Sequence, residues 1–422
     1  MDKLFKYNNN FKKELTSIIG LFIISPFAAL CYAIKNYRTS WSKNVIWFYT
    51  VFFGYTFTIF SAEVDATRYK DTLIIMSNPA FTIKTIFSNY WSDDSGMLDI
   101  AQRLITFLVA QFTQDYRVLF AVFGLFLGYF LSRIMWFLIE KSLGKLNLVS
   151  SLLLVSYSLV VGIWDIGGIR WNIAALIFFY GVLLYIIDGN YKGILLIIST
   201  IFVHWSFPAA ITVFIIYKYL KNQTLFYFIL FIFSFILVEL DLDYIRNIFE
   251  MYAPKAIQNS RENYLNENYI LSVADSRVGL AWYIKYHVLL IRWLILGLVS
   301  FIYFKDSKSM KENQPELFRL FNFGLLFYGV FNILSSLPSV GRFINIANLT
   351  MLFIIFVYLQ FYGKSFPEIF KNIVIPILIL FIFVRLRIGF DYLGVWSIFG
   401  SPLFVYFVEN NMPLINLVKA IF

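Results

Sequence analysis

Apolar runs of about 17–25 residues recur along the whole chain, separated by short stretches that hold most of the Lys and Arg. A run of that length crosses roughly 30 Å of hydrocarbon as an α-helix. Inside lipid every backbone N–H and C=O must be paired within the protein, and a helix does this within the segment itself. A membrane β-barrel would instead show strands of about 10 residues with alternating polarity. The pattern therefore predicts an all-α polytopic membrane protein with about 11–13 transmembrane helices, a count set by the roughly 20 residues each needs. A composition that is 60% hydrophobic and 14% charged excludes a soluble enzyme.

The net charge of +10 does not point to nucleic acid, because the 35 Lys and Arg lie mostly in short loops between spans. That is the positive-inside pattern; no basic stripe with interleaved aromatics faces water. Cys31 is the single cysteine, so an intrachain disulfide and a thiolate metal site are excluded, and with only two His present a His-rich metal site is not expected. No cofactor is expected. The first apolar run is too long for a cleavable leader and is expected to remain as a span. Residues 1–422 read as one membrane domain.

Spans are expected at about 15–34 and 44–62, followed by an extracytoplasmic loop at 63–116. That loop reads as polar over 70–100, and its apolar piece at 100–113, interrupted by Arg103, reads as an interfacial or re-entrant amphipathic helix. Further spans are expected at 117–139, 147–163 and 170–187. Residues 193–217 admit one straight helix or two half-helices meeting near His204. The broken form returns Lys218 and Lys221 to the basic side; Pro208 is tolerated in a first turn, and Ser206 is an N-cap candidate. A span at 224–240 leads to a second extracytoplasmic loop, 241–278, and spans follow at 279–304, 317–335, 343–362, 370–384 and 393–408. This scheme leaves the Lys-rich N-terminus on the outer side, against the rule that sets the other loops.

Asp65, Arg170, His204, Arg277 and Arg342 then all open toward the extracytoplasmic side. Helices are expected to begin there at Arg170 after Gly167-Gly168, at Ser206, and at Arg342 after Gly341. A helix start offers unpaired N–H groups and partial positive charge, hence an anion site. A guanidinium adds a planar fork that grips phosphate oxygens in pairs. Together these suit a lipid diphosphate leaving group, with Arg170, Arg342, Arg277 and Ser206 as its ligands and no metal. An acceptor hydroxyl also needs a base; His204 is the first candidate and Asp65 the second.

Each residue has a plainer role. Arg170 and Arg342 can be interfacial anchors snorkelling to head groups, and His204 a helix-packing hydrogen-bonder. Arg277 can be a solvated loop charge. Glu63 and Asp65, at the end of the second span, oppose a helix dipole and can be simple loop acids. Asp241 and Asp243 read as juxtamembrane charge, and His287 with Arg292 as packing within the bundle.

Gly168-Ile169-Arg170-Trp171-Asn172-Ile173-Ala174, then Val203-His204-Trp205-Ser206, then Gly341-Arg342-Phe343 occur in order, after an early Asp65-Ala66-Thr67-Arg68-Tyr69 element. Together these resemble the EpsG family of bacterial exopolysaccharide proteins, related to Wzy-type repeat-unit polymerases. The resemblance implies a GT-C-like fold in the bacterial inner membrane with its cavity toward the periplasm or cell exterior. It implies transfer of a growing capsule, exopolysaccharide or O-antigen glycan from polyprenyl diphosphate to a sugar hydroxyl of the next lipid-linked repeat unit. The implied partners are that lipid-linked oligosaccharide, the bilayer and a chain-length regulator. Arg170, His204 and Arg342 carry over by motif, with Asp65 and Tyr69 from the early element; Tyr69, Asn172 and Trp205 are the sugar contacts expected. The same residues also fit another GT-C transferase or an O-antigen ligase using a polyprenyl-phosphate donor, and a lipid-linked oligosaccharide flippase.

Overall fold

The computed structural model describes residues 11–59, 65–90, 99–221, 223–237, 251, 281–336, 340–363, 367–408 and 411–421. Among these no strand occurs, and the chain is a bundle of α-helices joined by short turns. The helices are α1 (Phe11–Ile24), α2 (Pro26–Lys35), α3 (Ser42–Tyr55), α4 (Asp65–Met76), α5 (Ile83–Tyr90) and α6 (Ile100–Ala110). Next come α7 (Tyr116–Glu140), α8 (Leu148–Val160), α9 (Ile169–Ile186), α10 (Lys192–Val203), α11 (Phe207–Tyr219) and α12 (Thr224–Ile236). The set ends with α13 (Trp282–Asn313), α14 (Pro315–Ile333), α15 (Ile344–Tyr362), α16 (Glu368–Gly389), α17 (Val395–Phe399) and α18 (Leu414–Ile421).

Among the described residues, five helical runs are long and apolar enough to cross a membrane. One of them, Leu148–Ile186, doubles back. On a straight helix Tyr157 and Phe179 would stand ~33 Å apart at 1.5 Å per residue. Their ring centroids lie 6.3 Å apart, so α8 and α9 are antiparallel around the turn at 161–168. Five shorter apolar helices make up much of the remainder, and several expected spans are built from such pieces. The first expected span, 15–34, breaks at Ser25-Pro26: Ser25 is extended, its hydroxyl accepts from the Ala28 N–H, and Pro26 fills the first helical position. Ile18 thereby joins Ala29, Ala33, Trp41 and Val45 in one buried cluster.

The broken form of 193–217 is the one found. Helix α10 ends at Val203, His204 is extended, and α11 starts at Phe207 with Pro208 in its first turn. Helix α11 returns to where α10 began, since Tyr217 donates to the Arg319 carbonyl and Arg319 donates to the Ile186 carbonyl. Residues 65–90, expected within a polar loop, instead form α4 and α5.

Helices α14 and α15 are the most enclosed, with Leu320, Phe321, Phe327, Ile346, Leu352 and Phe356 fully buried. Around them α3 packs on α7, α9 on α10 and α13 on α16. The closest approaches use glycine. A Cβ on Gly124 would stand 2.4 Å from the Thr50 carbonyl oxygen, and one on Gly193 would stand 2.3 Å from that of Gly181.

The two ends of the bundle differ in charge. One end gathers Lys35, Arg38, Lys141, Lys145, Lys192, Lys218, Lys305 and Lys308. It is tied by Arg38 donating to the Gly144 carbonyl, by Lys141 at 3.8 Å from Asp188, and by Tyr358 donating to Asp306. The other end carries Arg–Asp pairs: Arg117–Asp115, Arg170 with Asp65 and Asp99, Arg385–Asp165 and Arg387–Asp391.

Candidate functional site

The turn before α9 fixes the position of Arg170. Gly162 is extended, and its N–H donates to the Asp165 carboxylate at 2.8 Å. Arg385 reaches in from α16, 2.6 Å from Asp165, and also donates to the Leu159 and Val160 carbonyls that end α8. A cation there meets the negative end of the α8 dipole. From the other side Asn172 donates to the carbonyls of Asp165 (2.7 Å) and Gly168 (3.1 Å). Asn172, an expected sugar contact, thus has its amide nitrogen engaged in holding the turn.

Arg170 opens α9 and is held by three side chains from two other elements. Its Nε donates to the Tyr69 hydroxyl at 3.0 Å, and Nη1 to Asp99 at 3.3 Å. Nη2 stands 3.7 Å from Asp65. A guanidinium has five N–H donors, so most of its donors remain outside hydrogen bonds among the described residues. The side chain is about one-third exposed, 34%, which leaves room for an anion.

Asp65 and Tyr69 lie one turn apart on α4, so both face inward together. The start of α4 at Asp65 overturns the reading of that acid as lying at a helix C-terminus. Helix α3 ends at Tyr55, and Asp65 sits in a first turn, where a carboxylate suits the dipole. Arg68 adds a second ion pair to it at 3.4 Å. Tyr69 is buried against Phe123, and burial pushes its hydroxyl pKa up to about 12, so it stays protonated.

Asp99 is the residue that sequence reasoning missed. It is the N-cap of α6 and only 5% exposed. One oxygen accepts from Arg170; the other accepts from the Trp205 backbone N–H at 2.9 Å. The His204 Nε2 is 3.9 Å from it. Burial raises the Asp99 carboxyl pKa; Arg170, the Trp205 N–H and Arg103, one turn along α6, oppose that rise. A sequence signal existed: an acid directly before an apolar helix, with Arg at the fourth position beyond it.

His204, Trp205 and Ser206 form the joint between α10 and α11. Ser206 occupies the N-cap position of α11, but its hydroxyl is 2.9 Å from His204 Nδ1 and caps no helix N–H. The Trp205 ring stacks on the His204 ring at 6.1 Å and is partly exposed.

Arg342 is exposed in the short turn Val340–Phe343, just before α15. Phe343 is buried against Trp171 (5.8 Å), Phe207 (5.3 Å) and Phe331 (4.4 Å). Since Trp171 follows Arg170 and Phe207 follows Ser206, this aromatic cluster sets the starts of α9, α11 and α15 side by side. Arg170, His204 and Arg342 therefore share one end of the bundle. No hydrogen bond or ion pair joins Arg342 to another described residue. Arg277 and the acids Glu63, Asp241 and Asp243 lie outside the described residues.

The fold and this cluster define a multi-pass helical membrane protein that gathers arginines, carboxylates and a histidine at the end opposite its main lysine cluster. The chain belongs to the EpsG family, a family of Wzy-type polysaccharide polymerase-like proteins, whose model matches residues 79–394. The match spans Asp99, Arg170, His204 and Arg342 and leaves Asp65 and Tyr69 outside it. No curated protein and no solved structure matches the chain. Membership supports a polysaccharide polymerase-like function in general.

Proposed function

We propose that this chain polymerises lipid-linked oligosaccharide repeat units, moving the growing glycan from polyprenyl diphosphate to a sugar hydroxyl of the next unit. The observation that carries this reading is the meeting of Arg170, His204 and Arg342 at three adjacent helix joints. As the glycosyl–phosphate bond breaks, negative charge grows on the departing diphosphate. The spare N–H donors of Arg170 and the exposed Arg342 guanidinium neutralise it, with Arg277 the third cation proposed. Each such donor is worth about 10²–10³ in rate.

His204 accepts the acceptor proton, with Asp65 the second candidate for that role. The partly exposed Trp205 ring, stacked on His204, is the sugar-ring contact proposed, with Tyr69 and Asn172 as further sugar contacts. The lysine-rich far end supports a cytoplasmic orientation for that end and hence an extracytoplasmic site in the bacterial inner membrane. Arginine supplies the neutralising charge, so no metal is required.

Purified full-length protein in nanodiscs, given polyprenyl diphosphate-linked repeat units, tests the reading. Products lengthening by whole repeats are expected, with the rate unchanged by a chelator. Addition of a single sugar points to another glycosyltransferase, transfer onto a different acceptor to a ligase, and translocation without new bonds to a flippase; each result overturns polymerisation.

A further inference from the structure

Both histidines hold Nδ1 to the backbone, His204 facing an N–H and His287 a carbonyl. Ser206 N lies 3.2 Å from His204 Nδ1, and a backbone N–H can only donate. Nδ1 of His204 is therefore an acceptor, and the neutral ring carries its proton on Nε2, which faces Asp99 at 3.9 Å. In His287, Nδ1 lies 2.8 Å from the Ile284 carbonyl, which can only accept, so that ring carries its proton on Nδ1. The lone pair of His204 thus points to Ser206, whose hydroxyl sits 2.9 Å away and is partly exposed.

We propose that Ser206 is the atom through which His204 works: a Ser206–His204–Asp99 relay in which the serine hydroxyl receives the acceptor proton and Asp99 is the positioning residue. The relay rests on the polymerase reading above. The acceptor sugar hydroxyl gives its proton to Ser206 Oγ as the serine proton passes to His204 Nδ1. The acceptor oxygen forms its bond to the anomeric carbon, and the diphosphate leaves with the electron pair of the broken C–O bond. The imidazolium is balanced by the Asp99 carboxylate at Nε2 and later returns the proton to the diphosphate or to water. This arrangement also accounts for the Ser206 hydroxyl turning to the ring instead of capping α11. The extended backbone at His204, which breaks the helix, is what lets its ring reach forward to Ser206.

The first test needs no substrate. Nitrogen-15 spectra of histidine-labelled full-length protein in nanodiscs, assigned with a His287→Gln variant, report each ring's tautomer directly. The Nε2–H form is expected for His204 and the Nδ1–H form for His287. A Nδ1–H form at His204 overturns the relay. The second test uses the lipid-linked repeat units. Ser206→Ala is expected to lower kcat by about 10²-fold, the usual worth of positioned proton transfer, with KM little changed. Ser206→Thr is expected to restore most of it. A lengthening wild type with an unaffected Ser206→Ala variant overturns the relay alone. A wild type that lengthens nothing overturns the polymerase reading and the relay with it.

Discussion

Asp99 lies 3.3 Å from Arg170, although 71 positions separate the two in the chain. The same carboxylate takes the Trp205 N–H, so one buried acid joins the start of α9 to the joint between α10 and α11. Its loss should be felt in both places. Asp99→Ala leaves a backbone N–H unpaired and removes a charged hydrogen bond, each costing about 1–3 kcal/mol. Because Arg170 is partly exposed, the lower part of that range is expected for the ion pair. Thermal unfolding in detergent checks this: Asp99→Ala should melt well below the parent, and Asp99→Asn, which keeps an acceptor for Trp205, should recover part of the loss.

The pH dependence follows from the same residue. Burial raises the Asp99 pKa above that of the unfolded carboxylate. Between the ordinary carboxylate pKa and the raised one, the folded protein binds more protons than the unfolded chain. Stability from this group is thus greatest at low pH and declines as pH rises through that window. Activity runs the other way, since protonated Asp99 no longer balances Arg170 or an imidazolium. Melting temperature measured against pH should show this slope in the parent and lose it in Asp99→Asn.

Arg170 and Arg342 are expected to matter through charge and shape rather than through packing. Arg342→Ala, at an exposed turn, should leave melting unchanged while slowing chain growth by about 10²–10³-fold. Arg170→Lys keeps the charge but loses the planar fork that holds Tyr69 and Asp99 at once, so it should fall nearly as far as Arg170→Ala. Product length on gels reads both; near-normal polymer from either variant removes these arginines from the site.

Much of this site was legible in the sequence, because the physics at each residue is local. Gly167-Gly168 before Arg170, and a histidine within an apolar run followed by Ser206 and Pro208, mark a helix start and a helix break without any partner in view. Asp99 was not legible as a site residue. Its partners lie 71 and 106 positions away, and it stands near other acids in a segment of polar composition. The end of α3 was hidden for a related reason. Apolar residues continue past Tyr55, but Thr58 leaves the helix to bond the Tyr392 carbonyl through both its N–H and its hydroxyl. That long-range pairing, and not local composition, ends the helix. The break at Ser25-Pro26 carried a plain cap-and-proline signal that the hydrophobic run around it masked.

The Arg385–Asp165 pair should act on the site from outside it. Arg385 holds Asp165 of the turn that leads to Arg170 and the last two carbonyls of α8, and both partners are largely buried, with side chains 16% and 27% exposed. Removing either partner alone strands the other, at a cost of about 3–5 kcal/mol for a fully buried pair and less here. A double-mutant cycle with Arg385→Met and Asp165→Asn should show strong coupling, with the double variant more stable than Arg385→Met alone. Additive losses in the cycle mean that the pair does not organise the turn.

The alignment of α9 with α10 offers the most direct check that geometry, and not composition, makes this site. Gly181 and Gly193 let the two helices approach until each would-be Cβ meets the other's carbonyl oxygen, at 2.7 Å from Gly181 and 2.3 Å from Gly193. Both obstacles are backbone, so neither can rotate away as a side chain can. Gly193→Ala must therefore push or slide α10 along α9, with overpacking costing about 1–3 kcal/mol. The far end of α10 carries His204, and the far end of the α9 contact carries Arg170. A displacement of even a fraction of an ångström shifts His204 relative to Asp99, now 3.9 Å away, and to the Arg170 beside it. Chain growth should drop by more than the loss of stability explains, while Gly297→Ala, on α13 where nothing lies within 4 Å of a new Cβ, should change neither. Equal effects from the two variants, measured as kcat beside melting temperature, remove helix register as the determinant of the site.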